Sequence, residues 1–186
     1  MISLTADEER RLLRWARAAV ETGLTEVPES ERTPGVCAPH AAFVTLTKRG
    51  ELRGCIGHLQ HDRPLWENVL RAAVSAAYED PRFPPVEPEE FPDLNYSISV
   101  LEPPVELRDL SAFDPPRHGI IVQQGLRRAL LLPKVARERG WNAEQVLAAV
   151  CQKAGLPSDA WRDPTVRLEI FDAYDIEEPP GSLAGS

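Results

Sequence analysis

No apolar run in the sequence approaches the ~20 residues that a membrane-spanning helix needs, which excludes that way of crossing a bilayer. The first ten residues, Met1 to Arg10, turn polar by Thr5 and so predict no signal peptide. Cysteine is scarce. The three present, Cys37, Cys55 and Cys151, are odd in number and far apart, which argues against a disulfide framework and for a reducing, cytoplasmic location. Lysine supplies only three of the 21 cationic side chains, and arginine the rest. With a single methionine and 18 prolines, that bias suits a GC-rich genome; a thermophilic source gives the same pattern. Positive charge is in deficit overall. The net charge of −8 argues against a general nucleic-acid binder, because phosphate contact wants a basic surface. Four signatures are missing: the P-loop, the dinucleotide-binding glycine pattern, the Gly-x-Ser-x-Gly elbow and Cys-x-x-Cys. No convincing Ser/His/Asp set takes their place.

What is there is ordinary in bulk and specific in detail. A chain of 186 residues, 42% apolar and 27% charged, makes one domain or two small intertwined subdomains with a full core. Thr5-Ala-Asp-Glu8 reads as a capping box ahead of a helix carrying Leu12, Leu13, Trp15, Ala16, Ala19 and Val20 and ending at Gly23. Ala42 to Lys48, the turn Arg49-Gly50, and Glu51 to Gly57 predict a β-hairpin. A helix capped by Asp62 runs through Leu65, Val69, Ala73 and Ala77, before a proline-rich connection over 80–93. Leu94–Leu101, Gly119–Gln124, Leu126–Leu132 and Val166–Tyr174 read as strands. Helices follow Pro133 and Asn142. Hairpins and helices mix without a βαβ rhythm. The expectation is therefore α+β, with a largely antiparallel sheet and flanking helices.

The most informative stretch is Leu52-Arg-Gly-Cys-Ile-Gly57. A two-residue turn at Arg49-Gly50 sets Lys48 against Glu51, Leu46 against Arg53 and Val44 against Cys55. Alternation then places Arg53, Cys55 and Gly57 on one face and Leu52, Gly54 and Ile56 on the other. A one-residue change of register would move Cys55 to the other face. A partly buried Arg53 needs a carboxylate or a ligand. Cys55 beside that charge is a candidate nucleophile or part of a ligand-binding floor. The competing reading makes it a small buried hydrophobe, with Gly54 and Gly57 there for packing. Cys37-x-x-His40 and Cys55-x-x-His58, with His61 nearby, also suggest zinc. But Cys55 lies inside the strand rather than at its end, and no metal is assigned. Asp80-Pro-Arg82 follows a helix end. Arg82 is placed to bind a carboxylate or phosphate, or else Asp80 and Arg82 simply pair across a terminating turn.

Taken together, these motifs resemble the AMMECR-type domain, known in prokaryotes as AmmeMemoRadiSam system protein A. The resemblance rests first on Leu52-Arg-Gly-Cys-Ile-Gly57 preceded by Phe43-Val-Thr-Leu46. It extends through Asp80-Pro-Arg-Phe83, Ile98-Ser-Val-Leu101, Leu131-Leu-Pro133 with Val135-Ala136, Gly140-Trp141, and Lys153-Ala-Gly-Leu-Pro157. Ser97 departs from the pattern, where many relatives carry an acidic residue; if that acid is the partner of Arg53, the pairing differs here. Cys37 and His40 are not part of the pattern. The resemblance implies two intertwined subdomains with a cleft between them and the motif near it, within a domain of residues 1–178; the polar Gly/Pro/Ser composition that follows predicts a disordered tail over 179–186. It implies association with a Memo-type protein and a radical-SAM protein. On that reading Cys55, Arg53, Gly54 and Gly57 are the candidate active residues, with Asp80 and Arg82 as candidate binding residues and no resident cofactor. Gly54, Cys55 and Gly57 are also candidate hydrogen-atom donors for a radical relay. The alternative is a non-catalytic adaptor or ligand-binding module in which the motif is structural. A nucleotide- or RNA-acting enzyme is a third reading that the acidic charge disfavours.

Overall fold

The computed structural model describes residues 2–179. The expected tail over 179–186 lies outside them apart from Pro179. The chain forms two compact units: one of residues up to Leu101 together with those from Tyr174 onward, the other Glu102–Ala173. The polypeptide thus leaves the first unit, builds the second, and returns.

In the first unit, α1 (Ala6–Thr22) begins where the capping box predicted. Thr5 N donates to Glu8 Oε2 at 2.8 Å, and Glu8 N donates to Thr5 Oγ1 at 3.3 Å. The helix stops at Gly23, whose φ of 72° suits a residue without a β-carbon. After the short α2 (Pro34–Cys37) come β1 (Ala41–Lys48) and β2 (Glu51–His58). The helix α3 (Leu65–Tyr78) follows. Asp62 does not cap it. Pro64 holds that position, and Leu65 N bonds back to Ala38 O at 2.9 Å. Then β3 (Leu94–Leu101) pairs antiparallel with β1, leaving β1 between β2 and β3. The helices α1 and α3 pack together over this sheet. Leu12, Trp15, Val44, Leu46, Leu65, Val69, Tyr96 and Ile98 make the core between them. Burying side chains of this size contributes roughly 1.5–3 kcal/mol each.

In the second unit, β4 (Val105–Glu106), β5 (His118–Gln124) and β6 (Arg127–Leu131) join β7 (Arg167–Glu177), with β5 between β6 and β7. Two helices, α4 (Pro133–Arg139) and α5 (Ala143–Lys153), complete it. The core is Phe113, Ile120, Val122, Leu147, Val150, Cys151, Leu168 and Ile170. The last residues of β7 belong to the first unit. There Ser99 Oγ donates to Asp175 Oδ1 at 2.6 Å, and Arg17 bonds Glu178 at 2.9 Å. Every pairing described here is antiparallel, and the fold is α+β as expected.

The register of the first hairpin differs from the sequence expectation. Lys48 faces Glu51 as foreseen, but Thr47 faces Leu52 and Leu46 faces Gly54. Arg53 is one extra residue, a β-bulge. Beyond it Val44 faces Ile56, and Cys55 faces Thr45 rather than Val44. Leu46 and Val44 belong to the α3 side of the sheet. Thr45 and Cys55 therefore look the other way, in one row with Ser97 of β3.

Candidate functional site

The surroundings of Gly54 and Gly57 explain why neither position carries a side chain. A β-carbon on Gly54 would overlap the Ala76 carbonyl oxygen at the last turn of α3, and that oxygen is backbone and cannot swing aside. Gly57 lies opposite Phe43, whose ring covers the space a β-carbon would need. Gly119 and Phe171 repeat this arrangement in the second unit.

Arg53, thrown outward by the bulge, is held on three sides. Its Nε and Nη2 donate to Glu90 Oε1 and Oε2 at 3.0 and 2.9 Å. Its Nη1 reaches Pro84 O at 3.0 Å. The guanidinium also stands 6.0 Å from the Phe83 ring centre. The same Glu90 accepts from Lys48 Nζ at 2.9 Å and Glu87 N at 3.0 Å. The Arg53 hydrogen bonds, with those of Glu87 and Lys48, hold the Glu90 carboxyl far below the usual range against a smaller opposing effect of burial. Arg53 thus has the carboxylate its burial demanded, and it comes from Glu90, not from the Ser97 position. Glu90 was not among the sequence candidates. The acidic run Glu87-Pro-Glu-Glu90, beyond the prolines that follow Arg82, was the available signal.

Cys55 is clamped through its backbone. Its N–H donates to Asp80 Oδ2 at 2.9 Å, and Arg82 Nη2 donates to its carbonyl at 3.3 Å. Asp80, 4% exposed, also takes Arg82 N and Nε at 3.1 and 3.0 Å on Oδ1, and Nη2 at 2.7 Å on Oδ2. The Arg82 hydrogen bonds and the Cys55 amide lower its carboxyl to about 2, although burial acts the other way. The same pairing raises Arg82 against the opposing effect of burial. The 80–90 segment therefore lies along the outer edge of β2. With four prolines it covers that edge by side-chain and carbonyl contacts rather than as another strand.

The thiol remains. Cys55 is half-buried, and its Sγ lies 3.2 Å from Thr45 Oγ1. Thr45 was not singled out from sequence, because the bulge that brings it opposite Cys55 was not foreseen. Arg82 keeps its side chain 54% exposed while bonded to Asp80. The other cysteines stand apart. Cys37 is exposed, and Cys151 is buried in the second unit, where burial raises its thiol. His61 Nε2 is 3.3 Å from Leu101 O, and His40 Nδ1 is buried with no hydrogen-bond partner among the described residues. Among the described residues, no group of three or more His, Cys, Asp or Glu side chains is arranged to hold a metal ion. None of the described helices is long and apolar enough to cross a membrane.

The AMMECR1 family pattern matches residues 13–176. The chain belongs to the AMMECR1 family. A Methanothermobacter thermautotrophicus protein is 44% identical over 185 residues, covering 94% of this chain and 96% of that one. Protein MK0488 of Methanopyrus kandleri is 40% identical over 195 residues, covering 97% and 94%. The crystal structure of the uncharacterised protein PH0010 from Pyrococcus horikoshii superposes with a TM-score of 0.87, at 36% identity and 92% coverage of each chain. As a member of this family, the chain carries its Arg-Gly-Cys-Ile-Gly stretch on an edge strand of the first unit, and every contact described above for that stretch stays within that unit.

Proposed function

We propose that this AMMECR1-family protein works in the cytoplasm as one component of a system that includes a Memo-type protein and a radical-SAM protein, and that the group it contributes is the Cys55 thiol. Arg82 supplies the second group, a half-exposed guanidinium that orients an anionic portion of the reacting molecule. Arg53, Gly54, Gly57 and Asp80 form the scaffold that holds the thiol in place. The observation that carries this reading is the division of labour within the motif. Arg53 and Asp80 are engaged by partners, and both glycines are filled by neighbours. The Cys55 thiol hydrogen-bonds Thr45 and is partly open. A thiol in such a place can act as nucleophile or hydrogen donor. In a reconstituted mixture with the two partner proteins, Arg82→Gln is expected to weaken turnover, and, because Arg82 also pairs with Asp80, to lower the melting temperature by an amount that Asp80→Asn calibrates. Unchanged turnover would remove Arg82 from the site.

A second reading is favoured by the same geometry. So much of the motif is used for packing that the chain could serve as an adaptor without chemistry. In that case Cys55→Ser leaves the partner system at full rate.

A further inference from the structure

The first unit has a concave surface that Cys55 does not line. A cavity of about 540 Å³ runs along the outer face of α3 between the segment after α1 and the end of β2. That volume lies in the range of small-molecule sites. Its apolar lining is Leu24, Trp66, Leu70 and Val74. The acidic groups around it are already engaged. Glu26 binds Arg32 at 2.7 Å, Glu67 pairs with Arg63, and Glu79 accepts from Ser75 Oγ at 2.6 Å. Arg32 also stands 4.9 Å from the Trp66 ring centre, fixing that indole from one side. Two further groups, Arg71 and His58, line the cavity and have no hydrogen-bond or ion-pair partner among the described residues. The pocket therefore combines an apolar surface containing an indole, two acids paired with arginines and a third hydrogen-bonded to a serine, and an arginine and an imidazole that line it without partners among the described residues.

We infer that this cavity binds a small organic anion, an aromatic or otherwise flat apolar body bearing one carboxylate or phosphate. The body lies against Trp66, Leu70 and Val74, and the anionic head meets Arg71 and His58. Arginine suits both heads because its planar fork can donate two parallel hydrogen bonds. The inference stands apart from the thiol chemistry proposed for Cys55, since it uses none of the same residues.

The experiment is a calorimetric titration of the full chain with three probes: 1-naphthoate, 1-naphthyl phosphate and the uncharged 1-naphthalenemethanol. Saturable binding of at least one anion, stronger than the neutral probe, is expected, and the preferred anion identifies the head group. Arg71→Gln removes an exposed side chain without a partner and should leave the melting temperature unchanged. It should weaken anion binding by about fivefold, as for one exposed charge pair, with the neutral probe unaffected. Val74→Trp, which intrudes on the apolar wall where the body would lie, should weaken binding of all three probes. If that variant fails to fold, Arg71→Gln decides alone. No saturable binding of either anion, equal binding of anion and neutral probe, or anion binding insensitive to Arg71→Gln would each overturn the inference.

Discussion

Cys55 and its two sister cysteines provide an internal scale of accessibility. Cys37 is exposed, Cys55 half-buried and Cys151 fully buried. Alkylation by iodoacetamide, followed peptide by peptide with mass spectrometry, should modify Cys37 first, Cys55 next and Cys151 only on unfolding. Protection of Cys55 equal to that of Cys151 would place the thiol in the core and end its candidacy. Asp80 sets a pH dependence at the same scale. Its carboxyl is lowered from an ordinary 3.8 to about 2. A depressed carboxylate stabilises the fold above its unfolded pKa, and that contribution is lost as pH falls through the folded one. Wild type should therefore exceed Asp80→Asn in stability at neutral pH, by roughly 1–3 kcal/mol for a hydrogen-bonded buried charge. The gap should narrow between about pH 4 and pH 2. Urea unfolding at several pH values measures this, and a gap constant down to pH 2 would contradict it.

At the scale of elements, the hairpin was legible in the sequence but its register was not. Alternation of Phe43, Thr45 and Thr47 with Val44 and Leu46, and the turn at Arg49-Gly50, identify the two strands. The bulged Arg53 bonds Glu90, which lies 37 positions further along the chain, and no local pattern records that distance. The sequence demanded a carboxylate for Arg53 on grounds of burial, and the structure supplies one from the segment that covers the edge of β2. Glu90→Gln should loosen this cover, since Arg53, Lys48 and the Glu87 amide all converge on that carboxylate. Amide exchange across Leu52–Gly57 is expected to quicken while β1, flanked on both sides by strands, stays protected. Equal exchange in wild type and variant would mean that the 80–90 segment does not hold the edge. The cap of α3 was misread for a related reason. Asp62 has the right chemistry, but the contact of Leu65 with Ala38 sets the helix start.

For the whole molecule, the α+β class followed from hairpins and helices in irregular succession, and the antiparallel pairings bear it out. The return of the chain through β7, with its last residues in the first unit, could not be read from local patterns. Charge also has an uneven distribution that composition alone conceals. The net −8 falls on the first unit, while the second is balanced. The central claim concerns how one motif divides between scaffold and chemistry, and two variants separate the roles. Gly54→Ala forces a β-carbon against the Ala76 carbonyl, an overpacking that costs about 1–3 kcal/mol. Cys55→Ser keeps nearly the same volume and the Thr45 contact, and should cost about 1 kcal/mol or less at a half-buried position. The most direct measurement is the melting temperature of both variants beside the turnover of the system reconstituted with the proposed Memo-type and radical-SAM partners. The account predicts a clear fall in melting temperature for Gly54→Ala, and for Cys55→Ser a near-native melting temperature with turnover abolished. A Cys55→Ser protein that melts like wild type and supports full turnover would contradict it.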